Sequence, residues 1–321
     1  MIAKDRLVAR IKQLPTLPGA VLGLHRLLQD KSSTAKAFED LVRPDPALTT
    51  NLLRLANSAH FRRDRDVDSV RQAFVVLGAR RFCDAVTSVA LSSVIPTHLP
   101  GYGIPARDFW LHCIAVGILT EKLAHDLKRP VPDSVFAAAL LHDLGKLAIS
   151  TFLMETTDEV LQAMSCQHLS MANAEHAVLG LNHAELGAML AQTWGLPALV
   201  VQSARWHHDP DGLDHESTRD VVDLIHVADL LSHMLGLGAD VGELGRSLSA
   251  GTHRRLGMAA RQIETVACAT EEIHEFGMPR AAIEAEAVEE VVGLPLMAPR
   301  ILAVNRVRAA NDGRASVAPV G

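Results

Sequence analysis

The chain has 321 residues, 48% of them hydrophobic, 21% charged and only 4% aromatic, which suffices for one large domain or two ordinary ones with an apolar core. Hydrophobicity and charge both sit in the globular range, which excludes disorder as the main state. The net charge of −6 argues against a nucleic-acid partner, which needs a concentrated positive surface. No uninterrupted apolar run reaches the ~20 residues of a membrane helix. Met1 to Arg6 carries charges where a signal peptide has its apolar stretch, so the expectation is a cytoplasmic chain without a membrane partner. Cys83, Cys113, Cys166 and Cys268 are far apart, with no C-x-x-C pair. They read as buried small hydrophobes in a reducing compartment. Histidine is the outlier: there are 16, of which 11 fall between His112 and His233.

Three- and four-residue apolar steps predict helices throughout, and strand signals are nearly absent, so the fold class is all-α. Pro15 and Pro18 set an extended entry to a first helix running to Leu28. Pro44 and Pro46 bracket Asp45, which is placed to cap a helix over 45–57. Asn57, just after it, is suited to satisfying end carbonyls, and with Ser58 is read as structural. Arg62-Arg63-Asp64-Arg65-Asp66 nearly cancels in charge and reads as a solvated loop. The pattern resumes over 68–95, with Gly78 where a positive φ ends a helix. The Pro- and Gly-rich run from Ile95 to Gly103 is the clearest break. It divides an N-terminal helical part, 10–98, from a histidine-rich part, 104–236. Helices are predicted there over 107–127, 133–153, 183–194, 197–207 and 218–236. A C-terminal helical extension follows over 237–310, with patterns at 260–275 and 279–292, and 311–321 reads as a frayed tail.

Four pieces in the N-terminal part stand in a fixed order: Leu14-Pro15-Thr16-Leu17-Pro18, Pro44-Asp45-Pro46-Ala47-Leu48-Thr49, Leu52 to Ala59, and Val70 to Gly78. Together they resemble the HDOD domain, the HD-related output domain of bacterial signalling proteins, over roughly residues 10 to 230. The resemblance implies two packed helical parts, one built like an HD phosphohydrolase, and a regulatory role.

The chemistry concentrates in Leu141-His142-Asp143-Leu144-Gly145-Lys146. An imidazole and a carboxylate side by side suit Mn, Fe, Ni, Zn or Mg. Lys146 emerges on the same helical face, and Gly145 lets a neighbouring helix come close. Asp108 and His112 stand four apart on the preceding helix. His183, the pair His207-His208 and then Asp229 follow downstream. This order resembles the metal-binding series of HD and HD-GYP phosphohydrolases. The resemblance assigns His112, His142, Asp143 and Asp229 to the basic set. It assigns His183, His207 and His208 to the extra histidines of sites with more than one ion. Lys146 matches the lysine near the substrate phosphate, so Lys146 and Asp143 are the catalytic candidates if the chain is a hydrolase. Asp108 is a further carboxylate candidate. His125, His168, His176, His215, His226, His233, His253 and His274 have no place in the series and read as structural or surface.

The implied cofactor is one or two divalent ions (Fe, Mn, Zn, Ni or Mg), with no nucleotide cofactor. The chain departs from the cyclic-di-GMP phosphodiesterases after His208, where Asp209-Pro210-Asp211-Gly212 replaces Gly-Tyr-Pro; this argues against that substrate. No phosphate-binding glycine loop replaces it, and no receiver or cyclase domain precedes the series. Input is therefore expected from another protein, a ligand or the C-terminal region. Three readings compete. The first is a regulatory output module that binds signalling proteins, with a nucleotide or phosphate ligand also admitted. The second is a metal-dependent phosphohydrolase, and the third a scaffold with vestigial histidines.

Overall fold

The computed structural model describes residues 2–11, 14, 19–57, 67–95, 98–234, 237 and 248–257. Pro15, Pro18, Ser58, the charged loop 62–66, Pro96, Cys268, His274, the patterns at 260–275 and 279–292 and the tail 311–321 lie outside the described residues. The elements run α1 (Ile2–Ile11), α2 (Gly19–Gln29), α3 (Ala35–Val42), α4 (Pro46–Ala56), α5 (Val70–Val94), β1 (His98–Leu99), a 3-10 turn (Pro100–Tyr102) and β2 (Ile104–Pro105). They continue with α6 (Ala106–Asp126), α7 (Val135–Leu140), α8 (Gly145–Gln167), α9 (Met171–Leu179), α10 (His183–Thr193) and α11 (Ala198–Trp206). A second 3-10 turn (Pro210–Gly212), α12 (Glu216–Met234) and α13 (Ala250–Leu256) complete the series. The fold is all-α; β1 and β2 form a two-residue antiparallel pairing, His98 with Pro105 and Leu99 with Ile104.

Local chemistry sets these bounds. Asp45 Oδ1 accepts the Leu48 N–H at 2.9 Å, capping α4 with Pro46 in its first turn. Asn57 donates to the Leu53 and Val67 carbonyls and accepts the Val67 N–H, closing the end of α4. Gly78, at φ 77° and ψ 164°, breaks α5 into two helical pieces. Phe38, Phe74 and Phe82 cluster with centroids 4.7–6.1 Å apart and pin α3 against α5.

Two expectations need correction. The predicted continuous helix over 133–153 is interrupted at 141–144, between α7 and α8. In an unbroken helix the Ala139 carbonyl would accept from Asp143 N–H. Instead it accepts from the His142 ring at 2.7 Å and from the His142 backbone N–H at 3.3 Å, so the chain tightens into a turn. Cys166 is exposed, whereas Cys83 and Cys113 are buried as expected. Helices α1, α3 and α9, absent from the sequence reading, are also present.

The second half is arranged as a ring of helices. Helix α6 packs on α7 and α12, α10 on α8 and α11, and α11 on α7 and α12. The apolar run through α7 and α8 belongs to this core, with 89% of its most apolar window buried in the protein.

Candidate metal centre

The ring points its histidines and carboxylates inward from five places. His112 comes from α6, His142 and Asp143 from the α7–α8 turn, and His183 from the first position of α10. His207 and His208 follow α11, and Asp229 lies on α12. His112, His142, Asp143, His183, His207 and Asp229 are buried and His208 is half-buried. The α10 start is fixed by a capping box: Asn182 accepts from the Glu185 N–H, and Glu185 accepts from the Asn182 N–H. Gly145 and Gly187 make the close crossing of α8 over α10. A Cβ on Gly145 would overlap the His183 carbonyl and stand 2.5 Å from the Gly187 nitrogen.

The cluster consists of overlapping groups: Asp143 stands with His112 and His142 and also with His183, His207 and His208, while His142, His207 and Asp229 form a further group. His112 Nε2 lies 3.3 Å from His142 Nε2, 3.5 Å from Asp143 Oδ2 and 3.3 Å from Asp229 Oδ1. His142 Nε2 is 3.5 Å from Asp143 Oδ2 and 3.8 Å from Asp229 Oδ1. On the other side, Asp143 Oδ1 is 3.5 Å from His183 Nε2 and 3.4 Å from His207 Nε2. His208 Nε2 lies 2.5 Å from His183 Nε2.

These residues fit a metal. An ion with bonds of about 2.1 Å holds its ligand atoms roughly 3.0–3.4 Å apart, close to most of the spacings found. Asp143 Oδ1 and His207 Nε2 are both buried without a hydrogen-bond partner, a costly arrangement that a cation between them would relieve. The imidazoles are also presented correctly. His142 Nδ1 meets the Ala139 carbonyl at 2.7 Å and His207 Nδ1 the Ala204 carbonyl at 2.9 Å. Carbonyls only accept, so each Nδ1 carries the proton and each Nε2 turns a lone pair inward. His183 Nδ1 donates to Glu175 Oε2 at 2.6 Å, and His112 Nδ1 lies 3.1 Å from Ser232 Oγ.

The charges are matched to the same end. Burial alone would raise the Asp143 carboxyl, but Lys146, then His142 and the other imidazoles, hold it well below the usual carboxylate range. Burial pushes His207 down to about 4, which keeps it neutral. Burial would also lower His112, yet the Asp143 and Asp229 carboxylates raise it. Lys146, itself buried, sets its ammonium 2.9 Å from Asp143 Oδ2.

Not every candidate joins the cluster. Asp108 is half-buried in the first turn of α6 and belongs to none of the metal-capable groups among the described residues. His233, read as structural or surface, is buried with Nε2 3.2 Å from Asp229 Oδ1 and its ring 4.5 Å from that of His112, so it belongs with them. The spacing of Asp229 and His233, one helical turn apart, was the signal available for it. His226 is buried too, with Nδ1 donating to the His207 carbonyl at 2.6 Å and Nε2 accepting the Ser249 N–H at 3.2 Å. His125 and His176 pair with Asp126 and Glu185 at the surface, and His168 caps α8 at φ 55°. His215 and His253 are exposed. Glu175 and Tyr102 were missed, for neither carries a sequence signal.

Comparison with known proteins agrees with the fold. The family model of the HDOD domain matches residues 14–210. An HDOD domain protein of unknown function from Geobacter sulfurreducens superposes with a TM-score of 0.66 at 23% identity, covering 87% of this chain and 98% of that one. A candidate phosphohydrolase from Shewanella amazonensis SB2B gives 0.65 at 25% identity, over 86% and 96%. A candidate signal transduction protein from Marinobacter aquaeolei VT8 gives 0.65 at 20%, over 88% and 66%. An uncharacterized protein of Treponema pallidum (strain Nichols) is 26% identical over 202 residues, 62% of this chain and 38% of the relative; the chain thus spans well under half of that protein's length.

Proposed function

The chain belongs to the HDOD domain family, and on that premise we propose that it is a regulatory signal-transduction output module with a divalent-metal centre in its HD-like part. It acts by binding a signalling protein or a small ligand. The observation that supports binding over turnover is the use made of Lys146. Its ammonium, the cation offered beside the cluster for a substrate phosphate, is 1% exposed and paired with Asp143. The segment after His208 also carries Asp209 and Asp214, which would repel a phosphate ester, whereas Asp211 is paired with Arg255. A bound divalent ion would supply Lewis acidity, held by ligands from α6, the α7–α8 turn, the start of α10, the end of α11 and α12. His112, His142, Asp143, Asp229 and His233 would hold one position. Asp143, His183, His207 and His208 would hold another.

A second reading, a metal-dependent phosphohydrolase, is favoured by the completeness of the ligand series and by the name of the Shewanella protein. Elemental analysis of protein purified without chelator, followed by a hydrolysis screen on the same sample, separates the two. The expected result is bound transition metal without efficient turnover of cyclic dinucleotides, guanosine polyphosphates or deoxynucleotides. Robust turnover that is lost in a folded Asp143→Ala variant would replace the binding reading with the hydrolase. A metal-free protein that also refuses added metal would remove the centre itself.

A further inference from the structure

The chain's single tyrosine, Tyr102, sits in the 3-10 turn between β1 and β2, the hairpin that joins the two helical parts. It is buried, and its hydroxyl donates to Glu175 Oε1 at 2.6 Å. The other oxygen of Glu175 accepts twice from His183: from Nδ1 at 2.6 Å and from the backbone N–H at 2.8 Å. Glu175 is wholly buried, so both oxygens depend on these partners. A carboxylate on Nδ1–H fixes the ring, sets the tautomer and makes Nε2 a better donor to a cation. The Tyr102 hydroxyl fixes the carboxylate in turn.

The hairpin is itself seated firmly. Gly101 N–H donates to Ser150 Oγ at 3.2 Å. A Cβ at Gly101 would overlap the Ser150 carbonyl and come within 2.5 Å of Leu153 Cβ. Tyr102 thus takes its position from α8, the helix that opens just after Asp143. In sequence the hairpin follows α5, and α5 reaches the HD-like part through Arg80, whose Nη2 lies 2.6 Å from Glu121 Oε1 on α6. The α6 residue Trp110 reaches back to the Ser88 carbonyl of α5.

We infer that Tyr102 is a positioning residue acting through Glu175 on His183, and that the hairpin between the two parts thereby sets how tightly the cluster holds its second ion. This rests on the metal reading above. By reciprocity, loading that ion tightens the hairpin, giving a binding event in the core a route to the N-terminal part.

The test uses the full chain, stripped of metal and titrated with Co²⁺, whose visible spectrum reports the ligand set. Tyr102→Phe keeps the ring beside Lys146 and removes only the hydroxyl; Glu175→Gln keeps the side-chain volume and removes the charge. The expected result is a loss of roughly 10- to 100-fold in affinity for the second equivalent in either variant, with an altered cobalt spectrum. In the wild type, Co²⁺ should produce a tyrosine difference spectrum that is absent from Tyr102→Phe. A merely structural tyrosine would move the melting temperature of the metal-free protein and leave the affinity and the cobalt bands alone. Wild-type affinity and spectrum in either folded variant overturns the relay while the metal centre stands. A wild type that takes up no Co²⁺ overturns both.

Discussion

Replacing Gly145 by Ala tests the tightest glycine position among the described residues. Gly145 opens α8 two residues after Asp143, and its α-carbon faces the start of α10. An added methyl would overlap the His183 carbonyl and stand 2.5 Å from the Gly187 nitrogen, about 0.9 Å short of ordinary contact. Both obstacles are backbone, so no flexible side chain can turn aside, and the two helices must part. Overpacking of this kind costs about 1–3 kcal/mol and occasionally more; with backbone on both sides the upper figure applies, about 3 kcal/mol. The better helix propensity of Ala offsets little, since the position lies in the first turn.

For a described domain of this size, about 3 kcal/mol corresponds to a fall in melting temperature of roughly 6–12 °C. The functional effect should be larger in proportion. His183 Nε2 stands 3.5 Å from Asp143 Oδ1, and parting the helices by close to an ångström takes the pair out of reach of one ion. Calorimetry of the metal-free variant and its Co²⁺ stoichiometry measure both consequences. Gly195→Ala is the control: its φ of 69° imposes a left-handed strain of about 1 kcal/mol, yet nothing lies within 4 Å of the new methyl. It should melt slightly lower and bind metal normally. A Gly145→Ala protein within about 2 °C of wild type, with full stoichiometry, would refute the packing argument.

Two further outcomes are expected. Asp84 is buried on α5, and burial first, then Glu121, raise its carboxyl well above the ordinary 3.8. The folded protein therefore holds a proton that the unfolded chain releases, and stability falls as pH rises from about 4, by about 1.4 kcal/mol per unit until the folded group ionises. Asp84→Asn should abolish that slope, and a stability difference from wild type that ignores pH would dismiss the account. Arg255 on α13 clasps the fully buried Asp223 of α12 through Nε and Nη2, both at 2.7 Å, with Thr252 as the carboxylate's other partner. Arg255→Ala strands that charge and should cost about 3 kcal/mol by equilibrium unfolding. A cost below about 1 kcal/mol would mean that α13 does not hold α12 in solution.

Helices with one buried stripe were legible from periodicity: α4, α6, α10, α11 and α12 all begin and end within about two residues of their apolar pattern. The Asp45-Pro46 start was legible because its chemistry is local. The break at His142 was not, since Ala137 to Leu147 holds no proline and its small and apolar residues keep a helical pattern around His142, Asp143 and Lys146. It is the His142 ring, competing for the Ala139 carbonyl, that ends α7. The spacing of the ligand series could be read because each member has metal-ligating chemistry of its own. Glu175 could not, because its partners Tyr102 and His183 are set by tertiary contact, the former 73 residues away. Arg255 and Ser249 were equally hidden: nothing local announces that they return to Asp223 and Asp211.

The buried charges connect stability to function. Asp143 and Asp229 are withdrawn from water, and burying carboxylates is strongly unfavourable unless cations accompany them. Lys146 supplies one such cation at Asp143. His207 supplies a lone pair in preference to charge, for its Nδ1 proton goes to the Ala204 carbonyl and burial holds it neutral. On the proposed metal reading an ion from solution would complete the donor set, and any ion that binds the folded chain alone must stabilise it by mass action. The ligands come from helices that are adjacent in space and far apart in sequence, so that stabilisation falls on the packing of α6, α8, α10, α11 and α12 together. A module whose output is the shape of its helical surface can be governed through such a centre without consuming a substrate. The Ser249–His226–His207 chain of hydrogen bonds ties the N-cap of α13 to the residue that follows α11.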